Sequence, residues 1–320
     1  MNEITLRAFA PEDARRLAEV QARCVAECPD TGRFPPAFWL GPGFEDDQNI
    51  FCAVDEQDQL LGYAALNPSY ISRHLKARIL WLDLRADPQH AEANAVKEVL
   101  FERAWLRAHE LAQRWPGERV ALSATYFAQG QASIKYLEDQ GFEPYQTCLY
   151  LRRDLAEPLP LTGSAPLPGG IEVHPWRMET EEEQQAYLAA YDLAFGDEGK
   201  NLADLQHFMQ SEQWSVGTTF TAFSGQQIVG SVAIWYQPGS KWAGKTEAVF
   251  VIPAWRRQGI ARYLLCEAMS CLQERGLAYA ELEMDRANEP ALSLYQSLGY
   301  DIHREEVSLG RVLETRPTQE

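Results

Sequence analysis

The stretch EPLPLTGSAPLPGG at 157–170, with four prolines, three glycines and no apolar periodicity, divides the 320-residue chain almost in half. The halves on either side repeat one pattern. Residues 4–9 (ITLRAF) and 171–176 (IEVHPW) alternate apolar positions at period two, and each leads into a charged amphipathic helix. At an offset near 168, residues 50–66 and 219–235 both read strand, polar turn, strand, with Gly62 matching Gly230. A third apolar strand and a long helix follow in each half, at 79–84 then 93–113 and at 248–252 then 260–274. A short helix closing on glycine comes next, at 132–142 and 291–300. The repeat predicts two mixed α/β (α+β) domains. Each should be a mixed, mostly antiparallel sheet flanked by helices, with hairpins early and a strand-helix-strand crossover late. The expected division is 1–157, a linker at 158–170, and 171–320.

Hydrophobic residues make up 46% of the chain and are spread along its length, enough for two cores, and no apolar run is long enough to span a bilayer. The N-terminal residues lack a secretory pattern and already read as folded structure, which makes the cytoplasm the expected address. Six cysteines (Cys24, Cys28, Cys52, Cys148, Cys266, Cys271) form no C-x-x-C pair and have no His at metal-ligand spacing, so thiols are expected, with neither disulfides nor a metal. The net charge of −17 divides as −7 up to residue 170 and −10 after it. Two acidic halves argue against nucleic acid or an anionic membrane as partner, so an anionic ligand must bind locally.

One place invites such a ligand. In TEAVFVIPAWRRQGIAR (246–262), an apolar strand runs out and a helix begins near Gly259, whose apolar face carries Ile260, Leu264, Ala268 and Leu272. Free N–H groups and the macrodipole make a helix start electropositive, a place for carboxylates. Here Arg256 and Arg257 precede it and Arg262 follows, while Gly259 and Ala261 allow close backbone approach. Positive charge added to a positive helix end makes physical sense with a phosphate in between. Solvated arginines beside a turn glycine are the plainer reading of the loop alone.

The surroundings favour the ligand. The run Val251, Pro253, Arg256, Gly259, Ile260, Ala261, followed by Glu283, Asn288, Tyr295, Gly299 and Tyr300, resembles the GNAT superfamily of acyl-CoA-dependent N-acetyltransferases over about 150 residues. That family's R/Q-x-x-G-x-G/A loop holds the pyrophosphate of coenzyme A. The resemblance implies acetyl-CoA as co-substrate, no metal, and a cofactor site of Arg256, Arg257, Gln258, Gly259, Ile260, Ala261 and Arg262. The backbone of Val249, Phe250 and Val251 would line the pantetheine arm, with Asn288 near it and Tyr295 close to the thioester sulfur. Acyl transfer to an amine needs a base, because an amine with a pKa near 10 is protonated at neutral pH. Glu283, twelve residues before Tyr295, and Glu247, on the cofactor strand, are the candidates, with Glu283 ranked slightly ahead. Exposed strand glutamates and helix tyrosines are otherwise ordinary solvated or packing residues.

The first half lacks this set. Aligned on Pro88, it has Ala91 for the loop arginine and Asn94 for the glycine; aligned on Gly141, it has Leu137 for Tyr295, Gly130 for Asn288 and Thr125 for Glu283. Asp87 and Glu92 beside its helix start would repel a pyrophosphate. A degenerate, non-catalytic domain is expected there. In the second half, 192–214 and 236–244 should shape the acceptor groove with Phe195, Phe208, Trp214, Tyr236 and Trp242 and with Asp197, Glu198 and Asp204. A small-molecule or peptide amine is the expected partner. The tandem layout also resembles mycothiol synthase, which acetylates an aminoglycoside-like cysteine conjugate, though no residue selects that acceptor. A non-catalytic acyl-CoA sensor or scaffold is the rival class. The absence of G-x-x-x-x-G-K-[ST] argues against a P-loop enzyme.

Overall fold

The computed structural model describes residues 4–24, 34–41, 44, 49–72, 74–159, 167–196 and 201–313. Contacts divide it into two compact units, 1–147 with 306–320, and 148–305. The predicted mixed α/β architecture is present in both.

The first half of the chain contributes β1 (Thr5–Ala8), α1 (Ala14–Cys24), β2 (Ile50–Val54), β3 (Leu60–Ser72), β4 (Ala77–Ala86), α2 (Ala93–Ala112), β5 (Val120–Phe127), α3 (Gln131–Asp139) and β6 (Glu143–Asp154). The second contributes β7 (Ile171–Trp176), α4 (Glu181–Phe195), α5 (Leu202–Met209), α6 (Glu212–Ser215), β8 (Thr218–Ser224), β9 (Gln227–Tyr236), β10 (Ala243–Val251), α7 (Ile260–Glu274), β11 (Tyr279–Asp285), α8 (Glu289–Ser297) and β12 (Asp301–Leu313). Residues 160–166 of the predicted linker, Cys28, Asp197 and Glu198 lie outside the described residues.

The two sheets follow one plan. In the first unit β1 to β4 pair antiparallel in sequence order and β4 pairs β5 in parallel. In the second, β7 to β10 repeat the meander and β10 pairs β11 in parallel. Each parallel pair is joined by its long helix, α2 or α7, as a parallel crossover requires.

The sixth strand is exchanged. Glu306–Leu313 of β12 pairs with β5 in the first unit, and Cys148–Asp154 of β6 pairs with β11 in the second. Unit boundaries therefore fall at 147/148 and 305/306, inside two long strands, whereas the proline-glycine segment suggests 157 and 171. Composition marks a proline-glycine stretch, but a boundary that falls inside a strand carries no such mark.

In the second unit the α7 face of the sheet buries Leu264, Leu272, Ala280, Leu282 and Tyr300 in one core. Gly244 and Gly230 permit that packing: a Cβ on Gly244 would lie 2.5 Å from Leu272, and one on Gly230 would lie 2.8 Å from the Phe250 carbonyl oxygen. Gly62 plays the same part in the first unit, where a Cβ would sit 2.5 Å from the Arg85 carbonyl oxygen. Among the described residues no helix is long and apolar enough to cross a membrane. Cys52 and Cys266 are buried free thiols, and Cys24, Cys148 and Cys271 are partly buried.

Candidate active site

Two irregularities open the sheet of the second unit. The parallel ladder between β10 and β11 runs from Ala243–Tyr279 to Lys245–Glu281 and ends there, with the Thr246 hydroxyl reaching the Glu281 carbonyl at 3.3 Å. Beyond that point β10 departs from β11 while staying paired with β9. On the β9 side a bulge intervenes: Glu247 faces Ala233 and Phe250 faces Ser231, so three steps on β10 match two on β9. The extra residue is accommodated at Ala248, which has φ +48°, unusual for a residue with a side chain. Because of the bulge, Glu247 and Phe250 share the α4 face despite their odd spacing, and Phe250 packs there against Tyr187, Tyr191 and Phe195.

The predicted anion loop follows directly. Pro253–Trp255 form one 3-10 turn, Arg257 adopts φ +63° and Gly259 φ +83°, and α7 starts at Ile260. Among the described helices of this unit, α4, α5, α6 and α8 each begin on a side chain that accepts a backbone N–H (Thr180, Asn201, Ser211, Asn288). The α7 start has no side-chain cap, so its first N–H groups lack an acceptor from the helix or a cap. A Cβ on Gly259 would meet nothing within 4 Å, so glycine is required by backbone conformation and not by protein packing. An uncapped helix end, an open cradle at Gly259 and three nearby arginines fit a diphosphate.

The arginines have separate duties. Arg256 donates from Nε to the Val251 carbonyl (3.0 Å) and from Nη2 to the Ala194 carbonyl (2.7 Å), bracing the loop against the ends of β10 and α4. Arg262 donates to the Ser297 hydroxyl (3.0 Å), and Arg257 lies exposed at the loop tip. Gln258 is also exposed, Ile260 is buried in the core, and Ala261 packs against it.

The two glutamates share a face but have different neighbours. Glu283 is held by the Lys245 ammonium at 3.0 Å, and Lys245 also meets Glu281, which binds Arg152. Glu247 accepts a neutral N–H from Trp235 Nε1 at 2.9 Å and borders a cavity of about 200 Å³. Met178, Tyr187, Leu205, Phe208, Trp214, Thr219, Ala233 and Ala248 complete its lining. Tyr295 is buried against Tyr300, and burial pushes its phenol up to about 12, so it remains a proton donor at neutral pH. Asn288 caps α8, its Oδ1 accepting the Ala291 N–H.

A family model described as Acetyltransferase (GNAT) family matches residues 176–300. Over those residues the chain is similar to the GNAT acetyltransferase family. A mycothiol acetyltransferase of Brachybacterium faecium is 29% identical over 192 residues, 56% of this chain and 56% of that protein, so the match spans about half the length of the relative. A GCN5-related N-acetyltransferase from Sphaerobacter thermophilus shares the fold with a TM-score of 0.72 at 20% identity, covering 98% of this chain and 96% of its own. A tandem GNAT protein from the clavulanic acid biosynthesis pathway does so at 0.64 and 14% identity, covering 98% of this chain and all of that one. The tandem GNAT fold thus accounts for the repeat.

Of the groove residues named from sequence, Phe208 and Trp214 line the cavity. Phe195 packs behind Phe250, while exposed Trp242 meets Tyr279 edge-to-face and Tyr236 lies under Arg275. Asp204 bonds the cap residue Asn201. Sequence reading missed Tyr187, Thr219, Trp235 and the bracing role of Arg256. The spacing of Tyr187, Tyr191 and Phe195 at i, i+4 and i+8 was the available signal for one of these.

The first unit differs at the same register. Counting from the shared glycines, Ala65 corresponds to Ala233, so Asp83, opposite Ala65, occupies the Glu247 position, and Arg85 occupies that of Phe250. The gap-free alignment missed this carboxylate because β4 lacks the bulge. Asp83 is buried, bound by Arg85 Nε (2.7 Å) and the Tyr63 hydroxyl (2.7 Å). The Tyr126 hydroxyl, reaching across from β5, donates to the Leu84 carbonyl (3.1 Å) beneath the Arg85 guanidinium. In the loop ahead of α2, Asp87 accepts the Gln89 N–H and His90 Nδ1 the Glu92 N–H.

Proposed function

We propose that the second unit is an acetyl-CoA-dependent N-acetyltransferase acting on a primary amine by direct attack in a ternary complex. The observation that carries this reading is the course of β10, which leaves β11 after Lys245, borders the cavity with Glu247 and leads into the uncapped, arginine-flanked start of α7. Acetyl-CoA supplies the thioester: transfer forms a C–N bond, breaks the C–S bond, and gives an amide and a thiol once the amine has lost a proton and the sulfur has gained one.

The chain's residues then divide the work. Backbone N–H groups of Gly259, Ile260, Ala261 and Arg262, with the charge of Arg257, hold the diphosphate, while Arg256 fixes the loop's shape. The unpaired edge of Val249, Phe250 and Val251 receives the pantetheine arm, and a backbone N–H there polarises the thioester carbonyl. Glu247 takes the proton from the bound ammonium, directly or through one water. This reverses the order suggested by spacing, because Glu283 is already engaged by Lys245. Tyr295 returns a proton to the departing sulfur. Asn288 adds a contact near the pantetheine through its amide nitrogen.

We read the first unit as non-catalytic, with its carboxylate and strand edge occupied by its own side chains. The mycothiol acetyltransferase relative makes an amine-bearing small molecule the natural acceptor class. A thiol-release assay with acetyl-CoA across amines tests the assignment. Turnover with the wild type and its loss in E247Q support it; acetyl-CoA binding without transfer to any amine would favour the sensor reading. The intact chain is needed, since a cut at the linker would strip each unit of its sixth strand.

A further inference from the structure

The cavity beside Glu247 restricts the acceptor more than the family does. Its polar groups are few: the Glu247 carboxylate, the Tyr187 phenol and the Thr219 hydroxyl. Thr219 is spent, because its hydroxyl donates to the Trp176 carbonyl at 2.6 Å and lies 2.9 Å from Thr221, which continues to Ser231. Burial, with Tyr191 and Glu247 nearby, pushes the Tyr187 phenol well above its usual value, so it stays a neutral donor. Apart from the Trp214 indole N–H, everything else is apolar: Met178, Leu205, Phe208, Ala233, Ala248 and the Trp214 ring form the walls and floor, and Trp214 meets Phe208 at 5.7 Å.

We infer that the acceptor is a primary amine carried on a compact apolar group about the size of one ring, with nitrogen at Glu247 and the apolar group among Phe208, Trp214, Leu205 and Met178. The inference rests on the transferase reading and deepens it. Size and chemistry agree. A dry apolar cavity of roughly 150 Å³ takes up a benzene ring, so about 200 Å³ accommodates a ring and a short aminoalkyl stem. The aromatic residues that border the cavity also suit an ammonium group entering it. A polyhydroxylated amine fares badly, because each hydroxyl left without a partner against such walls loses roughly tenfold in selectivity.

The test compares kcat/KM of the intact protein for 2-phenylethylamine, n-propylamine and glucosamine with saturating acetyl-CoA. The expected preference for phenylethylamine over glucosamine is about 100-fold or more, as several unpaired hydroxyls imply. Two variants report on the same space. A233L raises the floor and should lower the phenylethylamine-to-propylamine ratio at least ~10-fold, while F208A removes a half-buried wall and should shift preference toward a naphthyl amine. A preference for glucosamine, or ratios unmoved in both variants, overturns the inference while leaving the transferase reading intact. Bound acetyl-CoA with no amine acetylated overturns both.

Discussion

Asp83 and Glu247 occupy the same register in two copies of one sheet, and their surroundings give them opposite uses. Without a bulge there, β4 keeps register with β3 from Leu80 to Ala86, and its carboxylate is buried between Arg85 and Tyr63 while the Tyr126 hydroxyl donates to the Leu84 carbonyl. With a bulge β10 turns its carboxylate toward a cavity, and Met284 stands at the position aligned with Tyr126. The lesson is that one residue inserted into a strand separates a structural ion pair from a candidate base. The loops repeat the contrast. Asp87 and His90 accept the Gln89 and Glu92 N–H groups in the loop ahead of α2, where the α7 loop carries Gly259 and arginines instead, although neither helix has a side-chain cap at its own N-cap residue.

The comparison is sharpest in turnover. E247Q should lower kcat/KM by about 10²–10⁴, the usual worth of a general base, whereas D83N should leave steady-state kcat/KM unchanged. Equal losses in both would erase the distinction. Stability should respond in the reverse order. D83A strands the Arg85 guanidinium and should cost roughly 3–5 kcal/mol in chemical denaturation, while E247A, at an exposed position, should cost under about 1 kcal/mol.

G259V forces a β-branched residue to φ +83° and should weaken coenzyme A binding about 10- to 100-fold, equivalent to about 1–3 kcal/mol of backbone strain. The double change A91R/N94G in the other loop should create no second site, because the Leu84 carbonyl stays engaged by Tyr126. Calorimetry on each variant distinguishes these outcomes.

The smallest effect concerns the two helix starts ahead of the sites. Thr180 caps α4 with a neutral hydroxyl, but α1 is preceded by the buried Asp13. Burial opposes the charge on Asp13, yet hydrogen bonds from Arg7 and the Ala10 N–H outweigh it and hold its carboxyl below the usual range. A lowered folded-state value means the contribution is complete above about pH 4 and drains away as pH falls further. Melting of D13N should therefore show a shallower loss on acidification below about pH 4 than the wild type.

Much of this was legible in the chain. The apolar period of α7, the left-handed glycine ahead of it and the paired arginines are local signals, and the duplicated hairpins predicted both sheets. Other features were hidden for physical reasons. Ala248 holds a positive φ although alanine carries no mark of it, so the bulge and the kinship of Asp83 with Glu247 were invisible to alignment. Arg256 reads as a phosphate ligand, yet its donors reach carbonyls at 251 and 194, the latter 62 residues away. The strand exchange left no trace because β6 and β12 occupy equivalent places in the repeat.

The central claim is that one copy keeps an open acyl-CoA site and the other has filled its own. Isothermal titration of the intact chain with coenzyme A tests it most directly. The account predicts one equivalent bound per chain, lost or strongly weakened in G259V. Two equivalents, or a single one untouched by G259V, would contradict it.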